Sequence, residues 1–339
     1  MVKEKSIKYY FPILIVMAII FAGHEIAIAT TTIKVAVVMP DGSPWTNSLR
    51  NMASEIEKQT AGEIKFKIYA GGVSGDEVDV IRKMQVNRIH AAGFSGVGLG
   101  ILLPKIRILE APMLYKNYEE IDLVKEKLYN EFSEDFAKRG YVLLGFVEAG
   151  FVYFYSKKNM SGHDGLKNIR MWVWKSDIVA KTTLETFGIK TYPLHLADVN
   201  TGLETGMIDS FYSPPLAAIY FQWHLKIQYL LDYPMVNSTG ALLIKKSIFD
   251  KLSKENQKIF KKTANKYCRE LIRLARRDNE KALAVLKKEG IIFESPPKKQ
   301  ITSFHEDAGK IYEKSIPQLY SRELFNKVQD ILKIHRNTK

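Results

Sequence analysis

The sequence predicts an α/β protein of two lobes, with one long helix lying across both. Apolar strand patterns alternate with amphipathic helix patterns through most of the chain, which favours largely parallel sheets covered on both faces. The 339 residues, 46% of them hydrophobic, suffice for about two lobes with their own cores. Residues 253–289 contain neither glycine nor proline. A single helix of about 55 Å is expected there, long enough to span both lobes.

The first 29 residues have the pattern of an export signal. Lys3, Lys5 and Lys8 precede an apolar run, and Ala27-Ile28-Ala29 supplies the small-x-small pattern that signal peptidase recognises. We expect cleavage after Ala29 and a periplasmic mature protein. The apolar run is shorter than the roughly 20 residues of a transmembrane helix. A retained N-terminal membrane anchor is the alternative.

Strand and helix patterns alternate in the first half of the mature chain. An apolar run at Ile33 suits a strand buried on both faces. Ser43-Pro44 then gives an N-cap followed by proline at the first helical position. The predicted strands cover residues 33–38, 64–69, 89–95, 141–147 and 152–155, and the predicted helices begin at Ser43 or cover residues 76–87 and 118–138.

The alternation continues in the second half until the long helix begins. Gly290 ends that helix, and Pro296-Pro297 precedes two C-terminal helices. The predicted strands here cover residues 169–174, 207–212, 227–233 and 241–245, and the predicted helices cover residues 177–187, 198–205 and 214–223.

Composition argues against several classes of protein. The formal charge is +13, but the basic residues are spread through helices and loops without a zinc-finger or RNA-binding motif, so we expect no nucleic-acid partner. The charge indicates a solvated surface or attraction towards an anionic membrane face. Cys268 is the single cysteine, so the fold has no internal disulfide.

Motifs of catalysis and of cofactor binding are absent from the sequence. It contains no G-x-S-x-G elbow, H-E-x-x-H pair or phosphate-binding loop, and its histidines lack metal-ligand spacing. We therefore expect no enzyme, metal or cofactor. The enzyme alternative would need Glu148 and Asp209 as an acid–base pair. The glycine-rich segment 93–100 indicates either a backbone close to a ligand or a tight connection that only glycine permits.

The most informative segment is Arg170-Met171-Trp172-Val173-Trp174. Side chains alternate along a strand, so Arg170, Trp172 and Trp174 share one face. Two indoles near the carboxyl end of a strand suit the stacking of a ligand, because ligands of open α/β sheets bind beyond that end. Packing of both indoles in a core is the alternative.

Three sequence blocks resemble a known family. Residues 68–77 are similar to its "YPGGxLGxxxE" element, and residues 109–115 are a weaker match to "xxPFLF". From Gly165 to Asp209 the chain is similar to "DLKGLKIRVP", "FxALGAxPxPM" and "EVYxALQTGxVDG" in order. The sequence thus resembles the DctP-like extracytoplasmic solute receptors of TRAP (tripartite ATP-independent periplasmic) transporters.

The resemblance implies a periplasmic-binding-protein-like fold, a ligand that is usually an organic acid, and a partner permease of small and large membrane subunits. It also implies lobe boundaries. We expect residues 30–152 and 238–252 in lobe I, residues 153–237 and 290–339 in lobe II, and residues 253–289 in the bridging helix. An exported ligand sensor is the alternative to a transport receptor.

The departures from the family concern its ligand-binding residues. The arginine that pairs with a ligand carboxylate falls at Trp172, a second arginine falls at Val152, and an asparagine falls at Ser213. The sequence therefore predicts an aromatic, apolar or neutral ligand, or a cation stacked on indole. An organic acid held by Arg170 is the alternative. The predicted pocket comprises Trp172, Trp174, Phe94 and Tyr212, with Ser95, Ser213 and Glu148 as polar groups.

Overall fold

The computed structural model describes residues 30–162 and 165–338. The predicted signal in residues 1–29 lies outside the described residues. Within them, no helix is both long and apolar enough to cross a membrane.

One mixed sheet runs through the molecule in the order β2-β1-β3-β8-β4-β7-β5-β6, with β9 beside β8. Parallel pairs lie at both ends of the sheet, where β1 joins β2 and β3, and β5 joins β6 and β7. The strands are β1 (Thr31–Val37), β2 (Ile64–Tyr69), β3 (Ala91–Ser95), β4 (Tyr141–Ser156), β5 (Arg170–Trp174), β6 (Lys190–Leu194), β7 (Ser210–Ser213), β8 (Tyr229–Lys245) and β9 (Ile292–Glu294).

Two long antiparallel strands, β4 and β8, cross from one lobe to the other. The sequence predicts two shorter strands in place of each, residues 141–147 and 152–155 for β4 and residues 227–233 and 241–245 for β8. That prediction is wrong. The strands continue through the crossing with register shifts, one of them between Glu148 and Gly150, where glycine adopts a φ of 109°.

The helices cover the faces of the sheet. The glycine-rich segment after β3 forms a helix, where the sequence indicated only a strand end or a connection. The helices are α1 (Pro44–Gln59), α2 (Glu77–Gln85), α3 (Gly96–Leu102), α4 (Tyr118–Lys138), α5 (Ile178–Thr186), α6 (Val199–Glu204), α7 (Pro215–Tyr220), α8 (Lys246–Phe249), α9 (Lys254–Lys288), α10 (Lys298–Ser315) and α11 (Arg322–Asn337).

Helix α9 is the predicted bridging helix. It contacts α1 in lobe I, the crossing strand β4, and α7 in lobe II. Its apolar stripe enters both cores, because Phe260 packs with Ile33 in lobe I while Leu286 packs with Trp172 in lobe II. Burying one stripe against two lobes stabilises a helix far longer than average. The two-lobed α/β fold with a bridging helix is thus confirmed.

The C-terminal helices separate between the lobes, which differs from the expectation that residues 290–339 stay with lobe II. Helix α10 contacts α5 of lobe II, whereas α11 contacts α4 of lobe I. The apolar face of α11 explains this placement, because Phe325 and Val328 join Phe132 in a core cluster of lobe I. The other expected lobe boundaries stay a proposal.

Candidate ligand-binding cavity

A cavity of about 160 Å³ lies between the two lobes, beside the crossing strands. Lobe I contributes the end of β3 and the start of α3, and lobe II contributes the carboxyl ends of β5 and β7. The crossing strands contribute Val152 and Met235. Since both lobes supply walls, any hinge motion at the crossing would open or close this cavity.

An aromatic stack forms the lobe II wall. Trp172 is only 2% exposed, and its ring lies 5.1 Å from that of Tyr212 at an interplanar angle of 16°. Trp223 meets Trp172 edge-on at 5.2 Å, and Trp174 lies 6.3 Å away. The indole Nε1 of Trp172 donates to the backbone oxygen of Leu194 at 3.2 Å. With its polar edge satisfied, the indole presents apolar surface to the cavity.

A buried charged triad lines the cavity beside this stack, with Arg107 and Glu110 from lobe I and Asp177 from lobe II. The guanidinium of Arg107 lies with Nη2 2.7 Å from Oδ1 of Asp177 and with Nε 3.0 Å from Oε2 of Glu110. The hydroxyl of Tyr212 donates to the second oxygen of Asp177 at 3.0 Å, and the amide of Thr239 donates to Glu110 at 2.8 Å. Burial raises the pKa of Glu110 to about 7, against the opposing attraction of Arg107.

The glycine-rich segment lets backbone approach these charges. A Cβ at Gly96 would collide with the carboxylate of Glu110, and Gly96 itself lines the cavity. Ser95 caps α3, and its hydroxyl donates to Glu77 at 2.8 Å. Glu77 also accepts from the amides of Ser95 and Gly98 at 2.7 and 2.6 Å. Burial raises the pKa of Glu77 to about 7. The glycines therefore serve close packing, and at Gly96 also the cavity wall.

Side chains from opposite lobes meet at the mouth of the cavity. The indole Nε1 of Trp174 in lobe II donates to Oδ2 of Asp76 in lobe I at 2.8 Å. His195 Nδ1 lies 3.3 Å from the same oxygen. The Arg107–Asp177 pair also joins lobe I to lobe II. These contacts join the two lobes beside the cavity.

Five predicted site residues line this cavity: Trp172, Trp174, Tyr212, Ser213 and Ser95. Their contact with a ligand stays a prediction. The hydroxyl groups of Ser213 and Ser95 already donate hydrogen bonds within the protein. Ser213 donates to the backbone oxygen of Pro214 at 3.0 Å, and Ser95 donates to Glu77. The polar groups that remain in the cavity are mainly those of the charged triad.

Three predicted site residues lie elsewhere. Phe94 is fully buried in the core of lobe I, because alternation along β3 turns it away from the face that Ser95 shares with the cavity. Glu148 is buried at the crossing, where it pairs with Lys125 at 3.1 Å and Arg276 at 2.6 Å. Arg170 begins β5, at the end of the strand opposite Trp174, and its guanidinium lies 3.4 Å from Asp209. The acid–base pair of the enzyme alternative is thereby divided between two separate groups of ion pairs, since Asp209 also pairs with Lys158 at 3.1 Å.

Sequence reasoning missed Arg107, Glu110 and Asp177. One signal could have identified two of them, because Arg107 and Glu110 are opposite charges three residues apart within an otherwise apolar stretch. Such charges are rarely buried unless they are paired. Asp177 was predicted only as the start of a helix, and it does cap α5 through the amide of Ala180.

Comparison with known proteins places this geometry in context. The family model for bacterial extracellular solute-binding protein, family 7 (DctP), matches residues 35–318. A solute-binding protein of Verminephrobacter eiseniae is 25% identical over 237 residues, which are 69% of this chain and 70% of that protein. The sialic acid-binding periplasmic protein of Vibrio cholerae is 20% identical over 78% of this chain and 82% of its own length.

Solved structures share the fold. A TRAP periplasmic solute-binding protein of Haemophilus influenzae with bound L-gulonate has a TM-score of 0.83 and 22% identity, and the match covers 89% of this chain and all of that one. A TRAP periplasmic solute-binding protein of Ralstonia eutropha with bound (S)-2-acetolactate also has a TM-score of 0.83, at 19% identity, covering 89% and 98% of the two chains. Since the family model spans most of the sequence, this protein belongs to the bacterial extracellular solute-binding proteins of family 7, the DctP family.

Proposed function

We propose that this protein captures a small solute in the periplasm and delivers it to a TRAP-type permease of small and large membrane subunits. Family membership and a cavity enclosed by two lobes support this role. The N-terminal segment would direct export, with cleavage after Ala29. Intact mass of the protein from a periplasmic extract would then correspond to a chain that starts at Thr30. Retention of residues 1–29 would instead identify the membrane-anchored form.

The ligand that the cavity favours is aromatic, apolar or neutral. The observation that carries this proposal is the character of the walls. Trp172 and Val152 stand at the positions where the resemblance places arginines, and both line the cavity. Among the described lining residues, Arg107 is the only lysine or arginine, and it is already paired with Glu110 and Asp177.

The balance of charge argues further against a simple dicarboxylate. With both acids ionised, the triad has one positive and two negative charges. A ligand carboxylate would have to displace Asp177 or Glu110 from Arg107 and leave that carboxylate buried without its cation, which is costly. An apolar ligand leaves the triad intact and gains affinity from the apolar surface it removes from water.

An organic acid held by Arg107 is the second candidate. Two observations favour it: the guanidinium lies in the cavity wall, and Glu110 has a pKa of about 7, so its protonation would release part of Arg107's pairing. The similar proteins of Haemophilus influenzae and Ralstonia eutropha were solved with acids bound. The earlier alternative, an acid held by Arg170, loses support because Arg170 lies outside the cavity.

Calorimetric titration with matched variants separates the two candidates. The panel contains C4 dicarboxylates, hexuronates, 2-oxoacids, neutral solutes, aromatic compounds and medium-chain apolar compounds. We expect the aromatic or apolar compounds to bind, and we expect Trp172→Ala to weaken them at least tenfold, which is about 1.4 kcal/mol. Arg170→Ala is the control and should bind as the wild type does. Tight binding of an acid that Arg107→Met abolishes and Trp172→Ala preserves would establish the second candidate instead.

Transport itself is tested in cells. Deletion of the gene for this protein, or of the permease genes, should each abolish uptake of the radiolabelled ligand found by titration. Uptake that continues without the permease, together with a transcriptional response that needs this protein, would identify an exported sensor.

A further inference from the structure

The net positive charge of the protein is concentrated on the bridging helix, whereas the sequence pattern indicated basic residues spread through helices and loops. Helix α9 contains twelve lysines and arginines against four aspartates and glutamates, so it carries a net +8 of the chain's +13. Its 35 residues are about a tenth of the chain. Solubility does not require the positive charge to be concentrated on one helix, because charges on the remaining surface also keep the protein soluble.

Four exposed basic residues without a described ion-pair partner form a row on one face of α9, and Lys254, Lys261, Lys287 and Lys288 are further exposed lysines outside this row. Lys258, Lys262, Arg269 and Arg273 are exposed and follow each other at spacings of 4, 7 and 4, which places them in one row opposite the buried stripe. We call this row the basic ridge. Within residues 30–162 and 165–338, no carboxylate lies within ion-pair distance of any of the four. The ridge is therefore a line of free cations, about 22 Å long at 1.5 Å per residue.

The surroundings of the ridge define what it can bind. Lys266, on its flank, pairs with Glu55 at 2.7 Å, so its charge is compensated, unlike those of the four ridge residues. The ridge residues do not line the cavity between the lobes, which argues against a buried small ligand. A straight row of flexible cations without aromatic partners fits a flat surface whose negative charges are mobile. Phospholipid headgroups provide such a surface, and each nearby Lys or Arg strengthens the attraction.

We propose that the basic ridge docks the protein on the anionic headgroups of a membrane. Because α9 contacts both lobes and supplies none of the described lining of the cavity between them, a protein held through α9 keeps its cavity uncovered. Docking by the ridge concentrates the protein at the membrane in two dimensions. The attraction is electrostatic and is screened over a Debye length of about 8 Å at physiological salt.

The test uses vesicle co-sedimentation of residues 30–339, which contain every strand and helix given above. This chain omits the apolar N-terminal run, which would itself bind lipid. Vesicles of phosphatidylcholine with 30% phosphatidylglycerol are compared with pure phosphatidylcholine at 0.1 and 0.5 M NaCl. The ridge variant changes Lys258, Lys262, Arg269 and Arg273 to Glu. The matched control reverses four exposed lysines elsewhere: Lys175, Lys298, Lys299 and Lys333.

We expect wild type and control variant to bind the anionic vesicles, and the ridge variant to bind them at least tenfold more weakly. Binding to neutral vesicles, or at 0.5 M NaCl, should be weak for all three. Equal loss in ridge variant and control variant would overturn the proposal, because net charge alone would then explain binding. The proposal would also be overturned if the wild type did not bind anionic vesicles but did sediment with an acidic protein or a nucleic acid. Thermal unfolding of each variant verifies that it is folded, and ligand titration verifies that its cavity is intact. A failure of membrane docking is therefore distinguishable from a failure of the proposed solute binding.

Discussion

Replacing Arg107 by methionine removes the only cation of the charged triad while keeping a side chain of similar length. Glu110 and Asp177 are then left buried without it. Removing one partner of a buried ion pair costs about 3–5 kcal/mol. Unfolding entropy is about 2.1 cal/mol/K per residue, or about 0.65 kcal/mol/K for the roughly 310 residues that follow Ala29. The melting temperature should therefore fall by about 5–8 °C at pH 8, measured by circular dichroism.

The same variant has a pH signature whose sign follows from Glu110. The folded pKa of Glu110 is about 7, above its ordinary value of 4.5, so between these values the folded protein binds more protons than the unfolded chain. The contribution of Glu110 to stability is therefore fully present below pH 4.5 and is lost as pH rises through 7. Without Arg107, the pKa of Glu110 rises further, and the carboxyl group can stay neutral at pH 5. We expect Arg107→Met to be less destabilising at pH 5 than at pH 8.

A second substitution makes the test specific to the triad. The double variant with Arg107→Met and Glu110→Gln should recover part of the lost stability at pH 8. The glutamine amide is neutral, so it leaves no uncompensated charge at this position. Asp177 retains its hydrogen bonds from Tyr212 and Ala180. A fall in melting temperature below about 2 °C, or an equal fall at pH 5 and pH 8, would refute the reasoning.

Three further predictions concern the crossing, the cavity and the mouth. Gly150→Ala should lower the melting temperature by several degrees, since φ is 109° and the new Cβ would collide with Asn279; Gly309→Ala, where a Cβ meets nothing within 4 Å, should not. Arg170→Ala should leave ligand affinity within twofold of wild type by calorimetry, because its guanidinium faces Asp209 rather than the cavity, and a tenfold loss would contradict the site described above. Trp174→Phe deletes the hydrogen bond to Asp76 of lobe I, which is worth about 1–2 kcal/mol. The small-angle scattering profile of the ligand-free protein should therefore shift towards that of an open form. An unchanged profile would show that this bond does not hold the lobes together.

Local pattern alone determined much of the fold. The 3.6-residue period from Phe260 to Leu286 defines the bridging helix, because a helical face needs no information beyond its own sequence. The same holds for α4, whose predicted bounds, residues 118–138, agree with the structure. Alternation along β5 correctly placed Trp172 and Trp174 together, since successive side chains of a strand must point to opposite faces.

Breaks were predicted where local pattern resembled a turn. Gly150 and residues 237–240 have the composition of a loop, yet β4 and β8 continue through them with register shifts. Their continuity depends on pairing between strands about 90 residues apart in the chain. Backbone amide groups at the crossing form hydrogen bonds between β4 and β8, and the sequence of either segment alone does not reveal this pairing.

The tertiary structure alone decided the chemistry of the cavity. Arg107 and Asp177 are 70 residues apart, and only closure of the two lobes brings them within 2.7 Å. The fold also assigns Glu148 to ion pairs with Lys125 and Arg276, and it pairs Arg170, the first residue of β5, with Asp209. Sequence determines which charges exist and which strand face they share. Which charges meet is decided by contacts between distant segments, because the energy of a buried ion depends on partners that the folded lobes bring to it.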